Sequence, residues 1–164
     1  MAQRCGNCAV VAVAYDESME SPLVLLRDEA DGRIMSVPVG AFEASSIIMA
    51  AEGLLPSQPQ THDVLAELFK RHGLRMEGFE IRGNAFSGYY GRLYYRRGFF
   101  RHTMDVSPSD GIALALRLGK PITADKTLMD AALSAEQCAS ARFQTDRILF
   151  LDNGPQESVS LSLR

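Results

Sequence analysis

The first forty residues alternate short apolar runs with acidic turns. Residues 9–15, 22–27 and 33–39 are rich in Val, Ile and Leu and are predicted as strands, the last two separated by Glu29-Ala30-Asp31-Gly32. After Gly40 the apolar period changes. From Phe42 onward Ala44, Ile47, Ile48, Ala51 and Leu55 follow helical spacing, and Gly53 and Pro56 end that helix. Residues 56–60 are a loop by composition. Thr61 is the expected N-cap of a second helix, with Asp63 in its first turn complementing the helix dipole. Val64, Leu65, Leu68 and Phe69 are its predicted buried stripe, Glu67 and Arg71 an outward i,i+4 pair, and Gly73 its end.

Residues 74–82, 85–95 and 99–106 are predicted as an antiparallel meander, with turns at Gly83-Asn84 and Arg97-Gly98. Alternation along the middle strand places Phe86, Tyr90, Arg92, Tyr94 and Arg96 on one face and Tyr89, Leu93 and Tyr95 on the other. Ser107 is the expected N-cap of a third helix, with Pro108 at its first position and Asp110 at its third, and Ile112, Ala115 and Leu116 face inward until Gly119 and Pro121. A short strand at 122–124, helices at about 126–133 and 134–143, and a strand at 147–152 follow. Residues 153–164 carry few apolar side chains and are expected as a mobile tail. The predicted class is α+β: a mixed or antiparallel sheet with helices packed on it, in one compact domain with a C-terminal extension.

The chain's 164 residues are 46% hydrophobic and 23% charged, enough apolar material to exclude a disordered chain. No apolar run is long enough to span a bilayer, so no membrane association is expected. The start of the sequence lacks a cleavable leader pattern, which makes the cytoplasm the expected location. Cys5 and Cys8 form C-x-x-C and Cys138 lies far away; these three cannot complete a four-cysteine zinc site, and a reduced, frayed pair is expected at the N-terminus. Charge is uneven. Residues 70–101 hold eight basic side chains against Glu77 and Glu80, whereas the remainder is strongly acidic and brings the net charge to −3. The middle third can therefore present a local anion-binding surface.

Three stretches carry a resemblance. They are Val37-Pro38-Val39-Gly40-Ala41-Phe42-Glu43-Ala44, Pro59-Gln60-Thr61-His62-Asp63-Val64-Leu65, and the run from Met104 through Pro108-Ser109-Asp110-Gly111 to Arg117, followed by Pro121-Ile122. In order and spacing, from about Val10 to Ala132, the sequence resembles the bifunctional nuclease family of bacteria and plants. The resemblance implies a compact α+β domain over residues 9–132; the extension at 133–152 and the tail at 153–164 lie beyond it. It also implies cleavage of RNA and DNA, as in some members, and self-association into a homo-oligomer. The sequence departs at Ser107, where the family usually has Arg, and at Gly111, where Ala is usual.

Phosphodiester hydrolysis needs an activated nucleophile, stabilised phosphoryl oxygens and a protonated or metal-bound leaving oxygen. In the matched motifs the candidate catalytic residues are His62, Asp63 and Asp105, with His62 as general base or ligand. Glu43, Asp63, Asp105 and Asp110 are candidate ligands for Mg2+ or Mn2+. Arg33, Arg92, Arg96 and Arg117 are candidate phosphate contacts, and Tyr90 and Tyr94 candidate stacking platforms for the bases of RNA or single-stranded DNA. The same residues have a non-catalytic reading. Asp63 and Asp110 can be helix caps, His62 can fix a loop, and the Tyr/Arg face can be cross-strand pairs on a binding or oligomerisation module. Metalloprotease, nucleophile-elbow and P-loop motifs are missing from the sequence.

Overall fold

The computed structural model describes residues 5–16, 20–84, 88–125, 127–128 and 149–150. Two antiparallel meanders arise where the period-2 pattern predicts them. The first comprises β1 (Cys5–Asp16), β2 (Ser21–Asp28) and β3 (Ile34–Pro38). The second comprises β4 (Leu74–Asn84), β5 (Gly88–Arg97) and β6 (Phe100–Val106). Between them lies β7 (Ile122–Asp125), antiparallel to β1 and parallel to β4, giving the order β3-β2-β1-β7-β4-β5-β6. A two-residue strand, β8 (Leu149–Phe150), pairs with Ala12 and Val13 of β1. The sheet is mixed and the class is α+β, as the sequence predicts.

Three helices, α1 (Ala41–Ala51), α2 (Thr61–Arg71) and α3 (Pro108–Leu118), pack on the face of the sheet carrying Val24, Leu26, Phe79, Ile81, Leu93 and Ile122. Each such aliphatic or aromatic side chain contributes roughly 1.5–3 kcal/mol by leaving water. Helix α1 lies over β1 and β2, whereas α2 lies over β4 and α3 over β4 and β5; α3 touches both other helices. The α3 cap is the one the sequence specifies. The Ser107 hydroxyl accepts from the Asp110 N–H, Pro108 opens the helix, and Gly119 closes it at φ 59°. Among the described residues no helix is long and apolar enough to cross a membrane.

Several boundaries differ from expectation. Strand β1 starts at Cys5, so Cys5 and Cys8 lie within a paired strand and are not a frayed end. Helix α1 ends at Ala51, which leaves Leu55 outside it and in solvent. The N-cap of α2 is Gln60 rather than Thr61, because the Asp63 carboxylate at the third helical position accepts the Gln60 N–H at 2.8 Å. Of the stripe predicted for α2 only Phe69 is buried, together with Ala66. Val64, Leu65 and Leu68 are exposed because α2 rests on the sheet by a narrow edge. Gly83-Asn84, expected as the first meander turn, instead pair within the ladder with Tyr89 and Gly88; residues 85–87, Phe86 included, lie outside the described residues. So do Cys138, the tail, and the helices expected at 126–133 and 134–143 apart from Thr127 and Leu128, which are helical.

The Phe79 ring explains one departure from the family pattern. It is fully buried between Gly111 of α3 and Gly91 of β5, and a Cβ on either glycine would collide with it. Ala would ordinarily favour a helix interior by about 1 kcal/mol over Gly. Here overpacking outweighs that gain, so Gly111→Ala is expected to lower stability by about 1–2 kcal/mol. Urea denaturation should show a lower midpoint at unchanged slope, and adding Phe79→Leu should restore part of it. A midpoint equal to or above wild type would contradict this packing.

Candidate functional site

The two helix-opening motifs meet where α1, α2 and α3 touch. The first turn of α2 delivers His62 and Asp63, the first turn of α3 delivers Asp110, and the last turn of α3 delivers Arg117. Facing them from α1 is Ser46, a hydroxyl in a helix interior, 3% exposed. The Arg117 side chain is 8% exposed and makes four hydrogen bonds. Its Nε donates to Asp63 Oδ1 at 2.6 Å, its Nη1 to the carbonyls of Ser46 and Ala113 at 3.1 and 3.2 Å, and its Nη2 to Ser46 Oγ at 2.9 Å.

Proton positions follow from this arrangement. Guanidinium only donates, so Ser46 Oγ accepts from Arg117, and the acceptor-only carboxylate of Asp110 favours the ring proton on Nε2, which lets the Ser46 hydroxyl donate to His62 Nδ1, 2.9 Å away. Nδ1 is then the acceptor and the neutral ring carries its proton on Nε2, which points at Asp110 Oδ1 at 3.1 Å. Asp110 Oδ2 accepts from the Ser107 hydroxyl at 2.7 Å. The string runs from buried Arg117 through Ser46 and His62, 12% exposed, to Asp110, 52% exposed. Serine, histidine and carboxylate occur in the order of an acyl-transfer triad, but the exposure is inverted. The serine is sealed inside and cannot meet a substrate. The carboxylate is the group that solvent and ligands reach.

Burial alone would raise the Asp63 carboxyl, but hydrogen bonds from Arg117 and from the Gln60 N–H, with the charge of Arg117, hold it below the usual carboxylate range. Asp105 stands elsewhere, at the end of β6. The Arg92 Nε donates to it at 2.9 Å and holds its carboxyl low. Glu43 folds back over Gly40 at the start of its own helix. The expected metal cluster of Glu43, Asp63, Asp105 and Asp110 is therefore not brought together. Asp63 and Asp105 each hold an arginine, and both His62 nitrogens are engaged. Among the described residues no three His, Cys, Asp or Glu side chains gather so as to hold a metal ion. This donor set does not fit a divalent cation.

The expected phosphate contacts divide likewise. Arg117 is an internal tie, buried because its donors satisfy α1, α2 and α3, and it offers nothing to a phosphate. Arg33 bonds Asp31 in the turn before β3, at the opposite edge of the sheet from β6. Arg92, Arg96, Tyr90 and Tyr94 do share β5, where the basic stretch closes on its two acids. Arg96 and Arg101 both pair with Glu77. Glu80 receives Tyr94, Arg82 and the Cys5 thiol. Burial would raise Glu80, yet those three hydrogen bonds outweigh it and hold it low. Desolvation, then the hydrogen bond to Glu80, pushes the Cys5 thiol up to about 12. Burial, then the charge of Asp28, does the same to Cys8. Three positions apart on a strand, the two thiols face opposite sides of the sheet and cannot share a ligand.

Sequence reasoning missed Ser46, Arg82 and Glu80, and it placed Cys5 at a frayed end rather than against Glu80. The only signal for Glu80 was its being one of two acids within the basic stretch, and Ser46 had none beyond its place among apolar helix positions.

A family model described as bifunctional nuclease domain matches residues 24–137 of the chain. Two uncharacterized proteins of Mycobacterium tuberculosis, MT1877 of strain CDC 1551 / Oshkosh and Rv1829 of strain ATCC 25618 / H37Rv, are each 28% identical to it over 124 residues. The match covers 76% of this chain and 74% of each relative.

The depressed Asp63 carboxyl sets a sign for the pH dependence. Its stabilisation is complete above the ordinary pKa of 3.8 and is lost as pH falls through the lower folded-state value. Asp63→Asn is expected to cost about 1–3 kcal/mol at pH 7, where it leaves Arg117 without its anion. It should also flatten the decline of stability below about pH 4. Parallel stability curves for the two proteins across that range would contradict the pairing.

Proposed function

The chain belongs to the bifunctional nuclease domain family, and on that premise we propose that it cleaves phosphodiester bonds in RNA or single-stranded DNA, with the Asp110 carboxylate as the proton acceptor and His62 as its positioning partner. One observation carries this reading: the hydrogen-bonded string from Arg117 through Ser46 and His62 that ends on a half-exposed carboxylate. A carboxylate fixed by an imidazole N–H and a serine hydroxyl can take the proton of an attacking hydroxyl or water as the phosphorus–oxygen bond to the leaving group breaks, and the carboxylic acid so formed can return that proton to the leaving oxygen. Arg92, Arg96, Tyr90 and Tyr94 on β5 would hold the rest of the strand. The proton transfer needs no Mg2+ or Mn2+, in keeping with the lack of a cluster of three or more His, Cys, Asp or Glu side chains among the described residues.

The reading extends to the cytoplasm, where Cys8, buried within a paired strand, would stay a thiol. It extends also to a homo-oligomer formed through apolar residues that the helix layer leaves exposed, among them Phe42, Val64 and Leu68.

A second reading has its own support. Ser46, His62 and Arg117 are largely buried and their polar atoms are satisfied within the fold, as expected of a clasp that merely holds three helices. Cleavage of labelled RNA and single-stranded DNA, measured with Mg2+, with Mn2+ and with EDTA, separates the two. Under the first reading activity persists in EDTA, and Asp110→Asn loses about 100-fold or more in rate at a melting temperature near wild type. If Asp110→Asn and His62→Ala cleave at the wild-type rate per folded molecule while melting earlier, the motifs are a clasp and the catalytic reading fails.

A further inference from the structure

The β5–β6 turn, Gly98-Phe99, is short, with Gly98 at φ 58°, and it carries two phenylalanines into solvent. Phe99 is 96% exposed and Phe100 74%. Burying two such rings inside the fold would stabilise it, and the fold leaves both out. Around them the register gathers cations. Arg96 pairs with Arg101, Arg97 with Phe100, and Arg75 of β4 with Arg96. Four arginines here stand against Glu77, which holds two of them.

Like charge on this scale opposes docking of the tip on its own copy. It favours a polyanion, and the bare rings favour one with flat faces to stack. The exposed side of β5 continues inward from Arg96 through Tyr94 and Arg92 to Tyr90, a strip of about 20 Å at roughly 3.3 Å per residue. An extended polymer can follow such a strip, whereas a bilayer would meet only the tip.

We propose that the β5–β6 hairpin is a stacking platform for single-stranded nucleic acid that passes over its tip, with bases on Phe99 and on Phe100, and phosphates on Arg97 beside Phe100 on the helix side and on Arg101 beside Arg96 where the open-side strip begins. This rests on the reading that the chain acts on nucleic acid and names the surface that captures it, away from the proton-transfer groups at Asp110.

The test is fluorescence anisotropy with a fluorescein-labelled 20-nucleotide oligo-dT, in EDTA, on the whole chain and on the Phe99→Ala/Phe100→Ala variant. Both side chains are exposed, so the variant should melt as wild type does. Wild type should bind with an affinity that falls as salt rises, and more tightly than it binds a duplex. The variant should bind about 10-fold or more weakly. Arg97→Glu should reduce the salt dependence. Equal binding by wild type and the double variant overturns the platform and leaves the nucleic-acid reading standing. Failure of wild type to bind any oligonucleotide overturns both. If binding is unchanged and the variant instead loses a dimer on gel filtration, or loses sedimentation with phosphatidylserine vesicles, the tip serves a second copy or a membrane surface and the platform is rejected.

Discussion

One guanidinium holds the architecture in place. Arg117 is nearly sealed from water and has hydrogen bonds into α1, α2 and its own helix. A buried arginine tolerates that position only when its donors are met and an anion lies close, and Asp63 supplies the anion. Its ties cross the molecule's natural seam, because α1 sits over the first meander and α2 and α3 over the second. Three residues after α3 the chain enters β7, the strand that closes the sheet between the two halves. The seam is thus fastened twice, by a polar clasp in the helix layer and by backbone pairing in the sheet.

The clasp also dictates what the exposed motif residues can do. With Arg117 donating to the Ser46 hydroxyl and the Asp110 carboxylate accepting at the far side of the ring, the string is ordered from serine through the imidazole to the carboxylate. A surface aspartate at a helix N-terminus is ordinarily just a cap. Here it is the outer terminus of a fixed polar string, and the difference comes wholly from groups that no ligand touches. The same economy governs the sheet's open face, where Glu77 and Glu80 organise the surrounding arginines and tyrosines into a defined surface. Beyond Glu77 the excess of arginine, and the two rings between them, is left for something outside the fold.

What could be read from the sequence was what is local. Ser107-Pro108 and Gly119 mark α3 because capping and left-handed geometry are decided within a few residues. The meander strands and the face shared by Tyr90, Arg92, Tyr94 and Arg96 followed from alternation alone. The basic stretch was visible as a count. Tertiary decisions were not legible. Arg117 looks like any helix-terminal cation until α1 and α2 are brought against it. Ser46 looks like a poor helix residue rather than a buried hinge of hydrogen bonds. Asp105 was grouped with Asp63 and Asp110 by motif, yet strand pairing sets it opposite Arg92. The exposed stripe of α2 was predicted buried because periodicity reports which side is apolar and not how much of that side the sheet covers.

The central claim is the direction of the polar string, and the protonation of the His62 ring reports it most directly. Nitrogen-15 NMR of selectively labelled histidine, with the ring neutral and His72 and His102 as internal references, distinguishes the two tautomers. The account predicts a fixed ring with Nδ1 bare and Nε2 protonated, and loss of that fixed state in Ser46→Ala. A proton on Nδ1, or a ring averaging between tautomers as a free imidazole does, would contradict it.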